Sequence, residues 1–98
     1  MMSFEQELSN KAFRDLVKAV AGLRSEDEVK RFLRDVCTLS ELTAMSERLQ
    51  VVQELEKGTP YRKISESTGA STATITRIAH WLHHGMGGYK LVLDRMKK

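Results

Sequence analysis

Residues 60–84 read PYRKISESTGASTATITRIAHWLHH. The stretch predicts two helices joined by a tight turn. The first runs from about Tyr61 to Ser67, and Pro60 ahead of it needs no backbone donor there. Thr68, Gly69 and Ala70 form the turn, with Gly69 supplying the left-handed backbone that closes a helix without steric strain. Ser71 offers its hydroxyl to the next helix as an N-cap. Ile64 marks the inner side of the first helix, while Ile75, Ile78, Ala79 and Leu82 line one face of the second. The small residues Ser65 and Ala70 let the two helices cross closely. This is the helix-turn-helix pattern, covering about residues 60–84, whose second helix enters a DNA major groove.

The outer face of that second helix fits such a partner. Ser71, Thr72, Ala73 and Thr76 sit near its N-terminus, where helix-turn-helix proteins touch base edges. Their hydroxyls suit bases or phosphates, and alanine or threonine methyls suit a thymine methyl. Free backbone N–H groups at a helix start favour phosphate. Arg62, Lys63 and Arg77 add positive charge. The competing reading is an ordinary helical hairpin with solvated charges. Turn glycine, cap, periodicity and basic residues together favour double-stranded DNA.

Ninety-eight residues make one domain, 1–98, with a modest core. Hydrophobic residues at 41% and charged residues at 30% describe a globular chain rather than a disordered one. The net charge of +3 is compatible with nucleic acid, though many soluble proteins share it. The single cysteine, Cys37, excludes a disulfide within the chain and reads as a buried apolar residue. With no targeting or spanning segment evident, a cytoplasmic protein without a membrane partner is expected.

The rest of the chain is helical in pattern. A first helix is expected from about Phe4 to Ala21, capped by Ser3 and ended by Gly22. Phe4, Leu8, Phe13, Leu16, Val17 and Val20 recur along it at helical spacing. Ser25 with Glu28 forms a capping box for a second helix, whose stripe is Val29, Phe32, Leu33 and Val36. Cys37-Thr38-Leu39 breaks the pattern. Ser40 is expected to cap a third helix carrying Leu42, Met45, Leu49, Val52 and Leu55 and ending at Lys57-Gly58. A flexible GMGG follows the helix-turn-helix at Gly85 to Gly88. A last helix then spans about Tyr89 to Lys97 with Leu91, Val92, Leu93 and Met96. The fold class is all-α with about six helices. Wide apolar stripes on the first two helices of so short a chain call for a second subunit. One helix-turn-helix also reads few base pairs, which a two-fold dimer remedies. A homodimer is therefore expected.

From Thr38 onward the chain resembles the Trp repressor family, and within it the YerC/YecD-type TrpR-related proteins. The resemblance is carried by SERLQVVQELEKG at 46–58 and GASTATITR at 69–77. It is strong over about residues 38–84 and holds in helix pattern elsewhere. It implies a six-helix intertwined dimer whose N-terminal helices wrap the partner, and a DNA-binding transcriptional regulator, a repressor. It also implies an effector pocket. The family's indole lies between two arginines, matched here by Arg48 and Arg77, and a threonine near the ligand's head group is matched by Thr38. Two neighbours depart from the pattern: Ile78 replaces a glycine and Trp81 a serine. Forcing bulk into such a slot costs about 1–3 kcal/mol. L-Tryptophan is therefore not expected to bind. The pocket is expected to be self-filled by Ile78 or Trp81, or to take a different small-molecule effector, and no cofactor is expected.

Other features read blandly. His80 and His84 are one turn apart, but no cysteine or carboxylate near them completes a metal set. Together with His83 they complement a helix C-terminus, where they also suit phosphate. By residue type alone, Trp81 reads as core. The carboxylates Glu26, Asp27, Glu28 and Asp35 accompany no nucleophile, so no catalytic residue and no enzyme is expected. The alternative to a DNA-binding regulator is an antitoxin-like or other protein-interaction dimer built on the same fold.

Overall fold

The computed structural model describes residues 10–97. Among them are six helices and no strand: α1 (Lys11–Ala21), α2 (Glu26–Val36), α3 (Leu39–Glu56), α4 (Tyr61–Thr68), α5 (Thr72–His84) and α6 (Gly88–Met96). The fold is all-α, as its periodicities predict. The chain divides into two compact units, residues 1–38 and 39–98.

In the first unit, α1 begins later than its apolar pattern suggests. The Asn10 Oδ1 accepts from the N–H groups of Ala12 at 2.8 Å and Phe13 at 3.4 Å. A side-chain acceptor in that place starts a helix, and periodicity does not reveal it. Ser3, Phe4 and Leu8 of the expected first helix lie outside the described residues. Gly22 closes α1 through its N–H to the Lys18 carbonyl at 3.0 Å. At the start of α2, the Ser25 hydroxyl accepts from Glu28 N–H at 3.1 Å. The Glu28 carboxylate accepts in return from Arg24 N–H at 2.9 Å, one residue further back than in the expected box. Glu26, Asp27 and Glu28 complement the helix dipole in that first turn. Cys37 ends α2 in extended backbone and is half-buried, not buried as its type suggests. No residue of α1 or α2 is buried.

The second unit holds the core. Its first helix starts at Leu39, so Ser40 lies inside the first turn rather than at the cap. The other end of α3 closes as the Lys57-Gly58 pair predicts. Gly58 sits at φ 80, Gly58 N–H reaches the Leu55 carbonyl at 3.0 Å, and Thr59 N–H reaches that of Glu54 at 3.1 Å. These two bonds satisfy carbonyls that a helix end leaves orphaned. The Glu54 carboxylate then accepts from Lys57 Nζ at 3.0 Å and Thr59 Oγ1 at 3.1 Å. Those bonds, the lysine's first, hold its pKa below the ordinary carboxylate value. The clasp fixes how the chain leaves α3 for Pro60 and α4.

Helix α3 packs against α4, α5 and α6, and α5 against α4 and α6. Val51, Val52, Ile64 and Ile75 are fully buried, joined by Ala70, Ile78, Leu82 and Leu93. Burying each large aliphatic side chain contributes about 1.5–3 kcal/mol. Of the apolar stripe expected on α6, only Leu93 enters this core; Leu91, Val92 and Met96 remain exposed. Leu49, Leu55 and Tyr89 cover the rim.

Candidate nucleic-acid interface

The helix-turn-helix is tied together by short-range bonds. Gly69 takes φ 82, the left-handed region, and its N–H reaches the Ser65 carbonyl at 2.9 Å. A side chain there would be strained, so glycine is required. Helix α4 runs one residue past its expected end, to Thr68. The Thr68 hydroxyl donates to the Ile64 carbonyl at 2.7 Å and accepts from Ala70 N–H at 3.1 Å. One side chain thus bridges the end of α4 to the turn. The Ser71 hydroxyl accepts from Thr74 N–H at 3.1 Å, the cap its sequence predicts. Ile75, Ile78, Ala79 and Leu82 are the buried residues of α5, again as periodicity predicts.

That anchoring leaves the opposite face of α5 free. Ser71, Thr72, Ala73, Thr76 and Arg77 are all exposed. They lie within one and a half turns of the helix start, where backbone N–H groups and the positive end of the dipole favour an anion. Arg62 stands on α4 and is also exposed. Its Nε lies 3.5 Å from Glu66 Oε1, with the arginine side chain 91% exposed. An ion pair so open to water holds little energy and does not withhold the guanidinium from a phosphate.

Arg77 has a second aspect. With Arg48, Thr74, Ile78, Trp81 and Tyr89 it lines a cavity of about 400 Å³. That volume falls in the range of small-molecule sites, roughly 300–1,000 Å³. Four of the five expected effector residues, Arg48, Arg77, Ile78 and Trp81, meet there. Thr38 belongs to the other unit. Thr74 and Tyr89 were not marked by the sequence pattern. Thr74 is three and four residues before Arg77 and Ile78, hence on their face of α5. Tyr89 arrives only because α6 folds back. Ile78 is 5% exposed and packs into the core, and the cavity persists beside it.

Trp81 is 55% exposed, so it is not a core residue. It stands one turn from Arg77 and Gly85, off the stripe formed by Ile75, Ile78 and Leu82. Its ring meets His80 edge-on at 5.3 Å. It also borders an open apolar groove of about 480 Å³ with Leu49, Met86, Tyr89 and Val92. The His80 and His84 rings lie 4.9 Å apart, and no three metal-binding side chains gather among the described residues.

An all-α chain built round a capped helix-turn-helix is an architecture of DNA-binding regulators. The family described as Trp repressor protein matches residues 11–97, and the chain belongs to that family, which consists of regulators rather than enzymes. It is 38% identical over 92 residues to protein YerC of Bacillus subtilis (strain 168), spanning 94% of this chain and 88% of YerC. It is similar in structure to a TrpR-like protein from Eubacterium eligens ATCC 27750, with a TM-score of 0.87 at 38% identity. That match covers 93% of this chain and 94% of the other. A candidate Trp repressor from Staphylococcus aureus superposes with a TM-score of 0.87 at 37% identity, covering 99% and 96% of the two chains. No helix among the described residues is long and apolar enough to cross a membrane.

Proposed function

We propose that the chain is a sequence-specific DNA-binding transcriptional regulator, a repressor, acting as a homodimer in the cytoplasm. One observation carries this reading. Helix α5 is anchored on one side by Ile75, Ile78, Ala79 and Leu82, while Thr72, Ala73 and Thr76 stand free beside its N-terminus. A second copy supplies cover for α1 and α2, none of whose residues is fully buried within the chain. Two recognition helices then enter successive major grooves, and the bound dimer blocks polymerase sterically.

The cavity beside α5 is the place where an effector acts. Arg48 and Arg77 line it, and neither is ion-paired among the described residues, which favours an anionic small molecule. Ile78 and Trp81 set its apolar wall and disfavour L-tryptophan. A ligand shifts DNA binding only by its differential affinity for two arrangements of α5. Mobility-shift assays on genomic fragments with excess non-specific competitor test the reading. A fragment retained under competition is expected, with no more than a tenfold change, about 1.4 kcal/mol, on adding millimolar L-tryptophan. Loss of all binding to competitor would contradict a sequence-specific regulator and favour an interaction dimer.

A further inference from the structure

The hydroxyls on the free face of α5 are not equivalent. Ser71 Oγ accepts from Thr74 N–H at 3.1 Å and donates to Thr74 Oγ1 at 3.0 Å. Thr76 Oγ1 donates to the Thr72 carbonyl at 2.9 Å. A hydroxyl has one proton to give. Neither Ser71 nor Thr76 therefore keeps a donor for a phosphate oxygen or for the acceptor edge of guanine. Of the three hydroxyls on this face, only that of Thr72 is uncommitted.

The same bond decides what Thr76 presents. Its Cβ carries a hydroxyl and a methyl, and with the hydroxyl turned to the helix backbone the methyl is the outer branch. Ala73 lies three residues earlier, and side chains at that spacing are neighbours on a helix surface. Both residues are exposed. Their adjacent methyls form an apolar patch within a polar and basic face. Such a patch has one complement among major-groove edges, the C5-methyl of thymine. Guanine is read by a bidentate arginine or lysine, and the arginine nearest this patch, Arg77, lines the cavity with Arg48.

We infer that Ala73 and Thr76 form a methyl patch that reads thymine C5-methyl groups, so that A·T pairs face α5 in each half-site. The inference rests on the DNA-binding reading above and specifies its substrate class. The test begins with duplexes selected from random DNA by the full-length protein. Each thymine of a selected duplex is then replaced singly by deoxyuridine, which removes the methyl and leaves pairing intact. At one or two positions per half-site affinity is expected to fall about fourfold, the equivalent of one buried methyl group. Thr76→Ser keeps the hydroxyl and removes the methyl, and is expected to lose the thymine preference at one of those positions. Thr76→Val removes the hydroxyl and keeps a methyl, and is expected to retain that preference. Selected duplexes that tolerate deoxyuridine at every thymine would overturn the methyl patch while leaving DNA binding intact. So would a Thr76→Ser protein with undiminished thymine preference. Failure to select any duplex would overturn the DNA-binding reading, and this inference with it.

Discussion

Helices α1 and α5 are both amphipathic by sequence, yet the chain treats them differently. On α5 the apolar stripe is buried: Ile75 is 0% exposed and Ile78 and Leu82 are 5% exposed. On α1 the stripe of Phe13, Leu16, Val17 and Val20 is 40–50% exposed. Periodicity says that a face is to be covered. It does not say by which chain. In residues 39–98 the cover comes from neighbouring helices of the same chain. For α1 and α2, the proposed cover is a second copy, since apolar surface on this scale stays marginal in so small a unit.

The contrast is sharpest where a cavity is cut into each region. Ile64→Ala, in the closed core, is expected to lose about 2–5 kcal/mol of unfolding free energy. Urea denaturation measures this, and the loss should appear at every protein concentration. Leu16→Ala on α1 is expected to lose about 2 kcal/mol if the proposed partner copy covers the leucine, which is 42% exposed in the single chain. Its signature is a midpoint that falls further as the protein is diluted. A loss below about 0.5 kcal/mol, ordinary for an exposed position, would show that α1 faces water.

Smaller effects test the frame that holds α5. Ser71→Ala removes the cap hydroxyl and is expected to cost about 1 kcal/mol, read by thermal melting. The smallest effect concerns Glu54. Its pKa is lowered, first by Lys57 and then by Thr59, so in acid the unfolded chain binds the extra proton. Its stabilisation is present above the ordinary carboxylate value and is lost as pH falls through the lowered one. Glu54→Gln should flatten the acid limb of the stability profile by lowering stability slightly at neutral pH while leaving it little changed at low pH. An unchanged acid limb would mean that the clasp contributes nothing measurable.

The helix-turn-helix was legible because its signals are local. Gly69 and Gly58 answer to backbone conformation, Ser71 to a helix start, and Ile75, Ile78, Ala79 and Leu82 to the helical period. Four cavity residues were legible through the family resemblance. What escaped depended on atoms that a pattern of types does not encode. Asn10 caps α1 inside an unbroken apolar periodicity because its carbonyl happens to reach two N–H groups. Thr68 looks like a turn residue until its hydroxyl is seen bridging Ile64 and Ala70. Trp81 is apolar enough for a core, but its place between Arg77 and Gly85 puts it at the helix flank. Tyr89 reaches the cavity only through the fold-back of α6. Thr76 lies on the face where it was expected, with its hydroxyl turned the other way.

In the proposed assembly α5 reads DNA, and α1 and α2 pair two such readers. Selection of bound sequences from random duplex DNA tests both halves at once. The expected result is an inverted repeat whose half-sites lie about one helical turn apart, roughly 10–10.5 base pairs centre to centre, or a multiple of it. An enriched site without two-fold symmetry, or no enrichment over the starting pool, would contradict the account.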